Sequence, residues 1–295
     1  MSLPECNATQ RFSLLTDEQV TAFQHDGFAV CRNFLTAAEV GDLLGEADEA
    51  ITGNTLADHN AERMEMEPEQ SPDGTAVRRL YEPCTYYPVS RALSEMDRLL
   101  DGVEQLFGPD LLFHYSKLNM KPAKVGSVVE WHQDLCYYPM TNRDSLAVLF
   151  YLDDTDASNG ALKLIPGQHT DALMQHTRDG YFQGRVTEPV NEADAVLAEG
   201  PAGTAIFMHG LTPHASAPNT SGRPRRTLIL AYRAADAIPL FLGPMTAKHE
   251  THVRLVRGAP ATQARFEGGS VPLPRYKGEI SSLYDLQKKS REGQT

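Results

Sequence analysis

The chain has 295 residues, of which 39 are acidic and 27 basic, so its formal net charge at pH 7 is −12. A chain of this length can bury a large core within one domain, and we expect residues 1–295 to form a single domain. The excess of acidic residues opposes binding to nucleic acid or to an anionic membrane surface, so neither is expected as a partner.

The start of the chain predicts no secretion or membrane insertion. Residues 1–6 lack the basic and apolar segments of a signal peptide. The longest strongly apolar run, residues 146–152, is far shorter than the ~20 residues that span a bilayer. The four cysteines lack the paired spacing of a zinc site or a disulfide framework. A cytoplasmic protein with reduced thiols is therefore expected.

Two helices and a strand are predicted at the beginning of the chain. Thr16 and Thr36 stand before helical patterns over residues 16–25 and 36–50, in the position of an N-cap. Residues 27–30, between the two helices, are typical of a short strand.

Three further segments are predicted to lie outside the core. Residues 52–77 are polar and acidic with few apolar anchors, which indicates a solvated loop or a lid over a site. Residues 170–199 form a long insertion between strands, and connections of that length are commonly functional or disordered. Residues 248–295, rich in Lys, Arg, Gly and Pro, are predicted to be a peripheral tail.

Between these segments the sequence changes to short alternating or apolar runs that are separated by Gly, Pro and Asn. Many short strands with turn signals favour a sandwich or jelly roll over alternating βαβ units. The runs cover residues 113–120, 128–136, 146–152, 161–165, 204–208 and 227–232.

A candidate metal site is visible in the spacing of His132 and Asp134. Two residues at i and i+2 of a strand point to the same face, so both side chains can bind one ion. A histidine from a distant strand, such as His214, completes a 2-His-1-carboxylate set, which is typical of non-haem Fe(II) oxygenases.

Three motifs occur in one order: WHQDLCYYP at residues 131–139, NGALKLIPGQH at 159–169, and the stretch from His214 to Arg225. In this order and spacing the chain resembles the phytanoyl-CoA dioxygenase family of Fe(II)/2-oxoglutarate oxygenases, over residues 18–235. The resemblance implies a mainly β fold, a double-stranded β-helix of the jelly-roll or cupin-like type, with N-terminal helices packed on one sheet.

The resemblance also implies ligands for the iron and the co-substrate. His132, Asp134 and His214 would be the catalytic metal ligands, and His214 is preferred to His209, which lacks the pattern that follows. Arg225 lies eleven residues after His214 (225 − 214), where the family holds the dicarboxylate 2-oxoglutarate. A guanidinium matches a carboxylate with two parallel hydrogen bonds.

Arg226 is the rival of Arg225, because both faces of the run 227–232 are apolar and periodicity does not choose between them. The resemblance selects Arg225, with Ser216 as a second carboxylate contact. Turn residues at 218–222 predict that the strands of His214 and Arg225 fold back antiparallel on each other.

The strand of residues 115–121 places Tyr115, Lys117, Asn119 and Lys121 on one face. Solvent exposure would explain this polar face equally well. The resemblance instead places the strand beside the metal, which makes Asn119 a candidate 2-oxoglutarate contact and Lys117 a candidate substrate contact.

Further candidate substrate contacts follow from parity along the strands. Tyr138 lies an even number of residues from His132 and Asp134, and Thr227 lies two residues from Arg225, so on a strand each would point to the same face as those residues. Arg78 or Arg79 can reach the site from the preceding segment, and Arg79 is the candidate retained. Together with Lys117, the arginine pair is suited to hold an anionic group.

The function implied by the resemblance is hydroxylation of an unactivated C–H bond of a small molecule. Fe(II), 2-oxoglutarate and O₂ would be required, and succinate and CO₂ would be co-products. A cupin-type metal enzyme that does not use 2-oxoglutarate is one alternative, which Arg225 and Ser216 disfavour. A non-catalytic jelly-roll binding protein is another, which the ligand triad disfavours. The sequence leaves the substrate and the oligomeric state open.

Overall fold

The computed structural model describes residues 14–124, 128–241, 243–267, 271–280 and 282–293. The start of the chain, with Cys6 and the segment in which a signal peptide would lie, is outside the described residues.

The helices of the described residues are α1 (Asp17–Asp26), α2 (Ala37–Ile51), α3 (Pro83–Tyr86), α4 (Pro88–Ser94), α5 (Asp97–Phe107), α6 (Pro244–Glu250) and α7 (Leu283–Arg291). None of these described helices combines the length and the apolar character needed to cross a membrane. The strands are β1 (Phe28–Cys31), β2 (Met64–Met66), β3 (Val77–Tyr81), β4 (Leu111–Lys121), β5 (Val129–His132), β6 (Ser145–Tyr151), β7 (Leu162–Leu164), β8 (Thr177–Arg178), β9 (Tyr181–Phe182), β10 (Val196–Ala198), β11 (Ala205–His209), β12 (His214–Ser216), β13 (Arg225–Ala234) and β14 (Arg254–Arg257).

The strands form two main antiparallel sheets. The large sheet has the order β1-β11-β6-β13-β4-β3-β2, and β14 also pairs with β4. The small sheet has the order β10-β7-β12-β5, and β8 and β9 form a separate hairpin. Successive strands thus alternate between sheets in the middle of the chain, as the jelly-roll prediction requires, and the mainly β prediction is confirmed.

The large sheet is buried on both faces. On one face Leu118, Phe150 and Leu230 belong to a single apolar cluster with Phe23 of α1 and Leu99 of α5. This helical layer confirms the prediction that N-terminal helices pack on one sheet.

On the opposite face, Leu149 of β6 and Ile229 of β13 form a second cluster with Leu162 and Leu164 of the small sheet. Since each fully buried Leu or Ile stabilises the fold by about 1.5–3 kcal/mol, both faces hold the sheet in place.

Both predicted N-terminal helices are present and begin with capping boxes. The Thr16 side chain accepts a hydrogen bond from the backbone N–H of Gln19, whose side chain in turn accepts one from the Thr16 backbone. Thr36 and Glu39 repeat the arrangement at α2. Each box satisfies two backbone donors that a helix start otherwise leaves unpaired.

The three segments predicted to lie outside the core contain regular structure. Within residues 52–77, β2 extends the large sheet and buries Met64 and Met66. Residues 170–199 include the β8–β9 hairpin and β10. The prediction of a peripheral tail at residues 248–295 is wrong, because β14 pairs with β4 and α7 buries Leu283 and Leu286.

Candidate metal and co-substrate site

His132, Asp134 and His214 form a compact buried cluster at the edge of the small sheet. His132 ends β5 and pairs in register with His214, the first residue of β12. The two Nε2 atoms lie 3.7 Å and 3.9 Å from the same oxygen, Oδ1 of Asp134. One ligand atom from each residue lies within 4.8 Å of the other two, which is the separation that a single shared ion requires.

The prediction that Asp134 lies on the strand of His132 is wrong. β5 ends at His132, and Asp134 begins a single 3₁₀ turn, Asp134–Cys136. The carboxylate reaches the imidazoles because the chain turns back after Gln133, and not because side chains alternate along a strand.

The hydrogen bonds of the two imidazoles fix which nitrogen is available. His132 Nδ1 lies 2.8 Å from the Glu130 carbonyl oxygen, and His214 Nδ1 lies 3.0 Å from that of Thr212. Since a carbonyl only accepts, both Nδ1 atoms carry the proton and both Nε2 lone pairs face Asp134. Burial lowers the pKa of both imidazoles, which keeps them neutral. Two neutral imidazoles and one carboxylate fit a divalent iron ion.

Gln133, between the two ligands, ties the turn to a neighbouring loop. Its Nε2 donates to the Leu211 carbonyl at 2.6 Å, and its Oε1 accepts from the Met174 backbone N–H at 2.9 Å. Its own backbone N–H donates to His176 Nε2 at 3.2 Å. His176 was not predicted from the sequence, because no pattern within residues 170–199 links it to the cluster.

His209, the rejected alternative ligand, lies elsewhere in the fold. It ends β11, and its ring packs 6.0 Å from the ring of Phe23 and 5.3 Å from that of His169. Its Nδ1 accepts the Leu211 backbone N–H at 3.0 Å. It therefore belongs to the packing between β11 and α1.

A cavity beside the cluster, which we name the Arg225 cavity, is lined by Lys121, His214, Ser216, Arg225 and Thr227 among others. Arg225 donates from Nη1 to Thr227 Oγ1 at 3.0 Å and from Nη2 to the Gly160 carbonyl at 2.8 Å. Its Nε is buried without a hydrogen-bond partner. Lys121 Nζ donates to Ser216 Oγ at 2.9 Å. The Arg225 guanidinium, the Lys121 amine and the Ser216 hydroxyl at one end of a cavity are hydrogen-bond donors suited to a carboxylate.

In the structure Arg225 and Arg226 lie on opposite faces of β13 and have different partners. Arg225 lies on the face of β13 that looks toward the small sheet, whereas Arg226 binds Asp153 through Nη2 at 2.7 Å and Nε at 3.0 Å. The expected antiparallel pairing of the His214 and Arg225 strands is wrong. β12 pairs with β5 and β7, and β13 pairs with β4 and β6, so the turn between them crosses from one sheet to the other.

Lys121 is a site residue to which the sequence analysis gave no role, although it was placed on the same strand face as Lys117 and Asn119. Burial, and then the charge of Arg225, lower the pKa of Lys121 to about 6. Gly160 passes close by with φ +87°, and a Cβ there would lie 2.5 Å from the Ala217 carbonyl oxygen and 3.3 Å from Lys121 Nζ. Only glycine leaves this end of the cavity undisturbed.

A second cavity, which we name the Tyr138 cavity, has a volume of about 110 Å³. It is lined by His132, Asp134, Arg79, Tyr81, Glu82, Tyr115, Lys117, Tyr138, Lys248 and His249, with Leu283 and neighbouring residues. The Tyr115 and Tyr138 hydroxyl oxygens lie 3.1 Å apart. The metal cluster therefore lies between two cavities, since His132 lines both of them.

The candidate substrate contacts divide between these cavities. Lys117 and Arg79 line both cavities, and Tyr138 lines only the second. Asn119 lines the Arg225 cavity and accepts a hydrogen bond from Arg79 Nε at 2.7 Å. Thr227, predicted to contact substrate, instead lies beside Arg225, because odd-numbered residues of β13 face that cavity.

Of the arginine pair, Arg79 enters the site. Arg78 binds Glu67, with Nη2 2.8 Å from Oε2, and it lies over the ring of Tyr284. Arg79 lines both cavities, whereas Arg78 is not among the lining residues of either.

The end of the chain supplies part of the wall, which the sequence analysis missed. His249, which lies in the segment predicted to be a peripheral tail, stacks on Tyr115 with ring centroids 4.1 Å apart. Ile280, Ser282 and Leu283 line the Tyr138 cavity. The one signal in the sequence is the apolar spacing of Leu283 and Leu286, which is compatible with a packed helix.

The ionisation of the Tyr138 cavity is set by burial. Burial lowers the pKa of Lys117 to about 8 and raises that of Glu82 to about 7. Near neutral pH most Lys117 side chains are therefore charged, whereas a large fraction of Glu82 is not.

The chain is similar to a family model, to several characterised enzymes and to solved structures. The family model described as Phytanoyl-CoA dioxygenase (PhyH) matches residues 23–227. A probable alpha-ketoglutarate-dependent hypophosphite dioxygenase of Stutzerimonas stutzeri is 31% identical over 230 residues, covering 76% of this chain and 80% of that protein. An ectoine dioxygenase of Bordetella parapertussis is 28% identical over 75% of this chain and 76% of that one. The crystal structure of EctD from S. alaskensis with 2-oxoglutarate and 5-hydroxyectoine has a TM-score of 0.63 and 27% identity, covering 77% of this chain and 78% of that one.

Proposed function

The chain belongs to the phytanoyl-CoA dioxygenase family and is an Fe(II)- and 2-oxoglutarate-dependent dioxygenase, and on this premise we propose that His132, Asp134 and His214 are its iron ligands. The observation that carries the assignment is the orientation of the two imidazoles. Their Nδ1 atoms are bonded to backbone carbonyls, and both Nε2 atoms face one carboxylate oxygen within 4 Å.

We further propose that 2-oxoglutarate lies in the Arg225 cavity. Arg225, Ser216 and Lys121 would hold its far carboxylate, which supplies an acceptor for the unpartnered Nε of Arg225. Asn119, on the wall of the same cavity, would contact the part of the co-substrate nearer the metal.

When bound, iron and 2-oxoglutarate supply the oxidation of a C–H bond by O₂, with succinate and CO₂ as co-products. The residues of the chain orient the reactants and exclude water. Hydrogen bonds to Glu130 and Thr212 fix the planes of the two imidazoles, and Arg225 fixes one end of the co-substrate. The buried rings of Tyr115 and Tyr138 form part of the wall of the second cavity and exclude bulk water from that side of the reacting bond.

The proposed reaction is hydroxylation of a small molecule bound in the Tyr138 cavity. The named relatives act on ectoine and hypophosphite, both of which are small. Lys117, Tyr138 and Arg79 would contact the substrate there, since all three line the cavity next to His132 and Asp134.

Release of succinate tests this function without knowledge of the substrate. The purified protein with Fe(II), 2-oxoglutarate and O₂ should release succinate slowly, and a chelator should stop the release. A cupin-type enzyme of other chemistry would bind iron and leave 2-oxoglutarate intact, and a non-catalytic binding protein would do neither. Intact 2-oxoglutarate in an iron-loaded sample would contradict the proposal.

A cytoplasmic location and the absence of a nucleic-acid partner stay predictions. Among the described residues the free cysteines are Cys31, Cys84 and Cys136, and all three are buried. Reduced thiols of this kind are typical of cytoplasmic proteins and support the location.

A further inference from the structure

The Tyr138 cavity contains more positive charge than the proposed iron and 2-oxoglutarate sites require. Arg79, Lys117 and Lys248 all line it. Among the described residues, none of the three has a salt bridge to a carboxylate within 4.0 Å. One nitrogen of Arg79, Nη2, is buried without a hydrogen-bond partner, and the residue is only 3% exposed.

The register of the large sheet brings two of these cations together. Tyr81 of β3 pairs with Lys117 of β4, and Arg79 pairs with Asn119. Arg79 and Lys117 are therefore diagonal neighbours on one face of adjacent strands, a separation that long side chains can bridge. Holding two like charges so close, away from bulk water, costs free energy unless an anion offsets it.

The carboxylates of the same cavity favour the charged forms of Lys117 and Lys248 from a distance, but among the described residues they form no salt bridge with the three cations. Glu82 is engaged elsewhere, because its Oε2 accepts the Ser116 backbone N–H at 2.9 Å and its Oε1 lies 3.6 Å from His249 Nδ1. Asp134 is assigned to the iron. The cavity thus presents three cations to a ligand, and among the described residues no carboxylate lies within 4.0 Å of their nitrogens.

The volume limits the size of the ligand. A dry cavity of about 150 Å³ accepts benzene, which has six carbon atoms. The Tyr138 cavity, at about 110 Å³, is therefore suited to a molecule of about that size or smaller.

We propose that the substrate is a small organic anion, a carboxylate, sulfonate or phosphonate, whose charged group binds Lys117, Arg79 and Lys248. Its apolar end then points to the side of the cavity formed by His132 and Asp134. This inference rests on the proposed function and adds the chemical class of the substrate.

Lys248 distinguishes this inference from its main rival. Arg79 and Lys117 also line the Arg225 cavity, where they are available to the second carboxylate of 2-oxoglutarate. Lys248 lines only the Tyr138 cavity, where its Nζ lies 3.9 Å from the centre of the Tyr81 ring. Its charge therefore acts on the substrate and leaves the co-substrate unaffected.

The test is calorimetric titration under nitrogen of the protein loaded with Fe(II) and saturating 2-oxoglutarate. The probes are propionate, ethanesulfonate and ethylphosphonate, with propionamide as the neutral counterpart of propionate. We expect at least one anion to bind and propionamide not to bind. Lys117→Met should weaken anion binding by about 10-fold or more, and the exposed Lys248→Met by about 2- to 5-fold. Lys163→Met, which removes a cation paired with Glu192 outside both cavities, should have no effect.

The possible outcomes distinguish failure of this inference from failure of the proposed function. Binding of Fe(II) and 2-oxoglutarate without binding of any anion would overturn the inference and leave the proposed function intact. Equal binding of propionate and propionamide, unchanged in both lysine variants, would overturn it as well. Weaker 2-oxoglutarate binding in Lys117→Met, with anion binding unchanged in Lys248→Met, would assign the cations to the co-substrate. Failure to bind Fe(II) or 2-oxoglutarate would instead overturn the proposed function itself.

Discussion

Asp134→Ala should abolish iron binding and turnover together. The carboxylate oxygen of Asp134 is the one atom that both His132 Nε2 and His214 Nε2 face, at 3.7 Å and 3.9 Å. Its removal leaves two neutral imidazoles without the negative charge that balances a divalent ion. Loss of a residue that merely orients a metal ligand costs about 10- to 100-fold in affinity or activity. Loss of the ligand itself should cost at least about 100-fold.

The measurement is the iron content per chain after dialysis against Fe(II), together with the rate of succinate release. Asp171→Ala, which removes an exposed carboxylate outside the site, is the matched control and should keep both values. The thermal unfolding midpoint without iron should change little in either variant, which separates loss of metal from loss of fold. Iron-dependent turnover near the wild-type rate in Asp134→Ala would remove the carboxylate from the site.

Arg225→Lys should raise the KM for 2-oxoglutarate by about 10- to 100-fold, because a lysine does not reproduce the planar pair of donors that matches a carboxylate. At saturating 2-oxoglutarate the kcat should change much less, since the residue binds the far end of the co-substrate and does not touch the iron. Steady-state kinetics of succinate release with varied 2-oxoglutarate provide the measurement.

Arg226→Lys is the matched control for this change. Arg226 lies on the opposite face of β13 and is bound to Asp153, so its replacement should leave the KM nearly unchanged. A large rise in KM for Arg226→Lys with none for Arg225→Lys would mean that the strand is placed one residue out of register.

Local patterns predicted the parts of the fold that depend on neighbouring residues. Thr16 and Thr36 marked the two N-terminal helices, because a capping box lies within four consecutive residues. The run at residues 146–152 marked β6, because a strand buried on both faces is continuously apolar.

Burial on both faces also explains why the alternation of apolar and polar residues along β13 did not show which of Arg225 and Arg226 faces the site. One face of β13 packs on helices and the other on the small sheet, so both faces carry apolar residues. The choice depended on the order of motifs along the chain, and the three-dimensional reason, a sheet covered on both sides, becomes visible only in the fold.

Long-range contacts were the main source of error. No sequence pattern near Leu283 predicts a contact with Tyr138, about 145 residues earlier, yet both residues line one cavity. Ser282 likewise donates to Glu65 Oε1 at 2.7 Å across more than 200 residues. Within residues 52–77 the short strand β2 was missed for a different reason, since acidic side chains hid the alternation of Met64 and Met66.

The central claim is that one iron ion and one 2-oxoglutarate molecule share the space between His132, Asp134, His214 and Arg225. A crystal structure of the protein soaked under nitrogen with Fe(II) and 2-oxoglutarate, with data collected at the iron absorption edge, tests it most directly. The account predicts an anomalous peak among the two Nε2 atoms and the Asp134 carboxylate, with the far carboxylate of 2-oxoglutarate on Arg225. An iron peak elsewhere, or 2-oxoglutarate bound away from Arg225 in crystals of active protein, would contradict it.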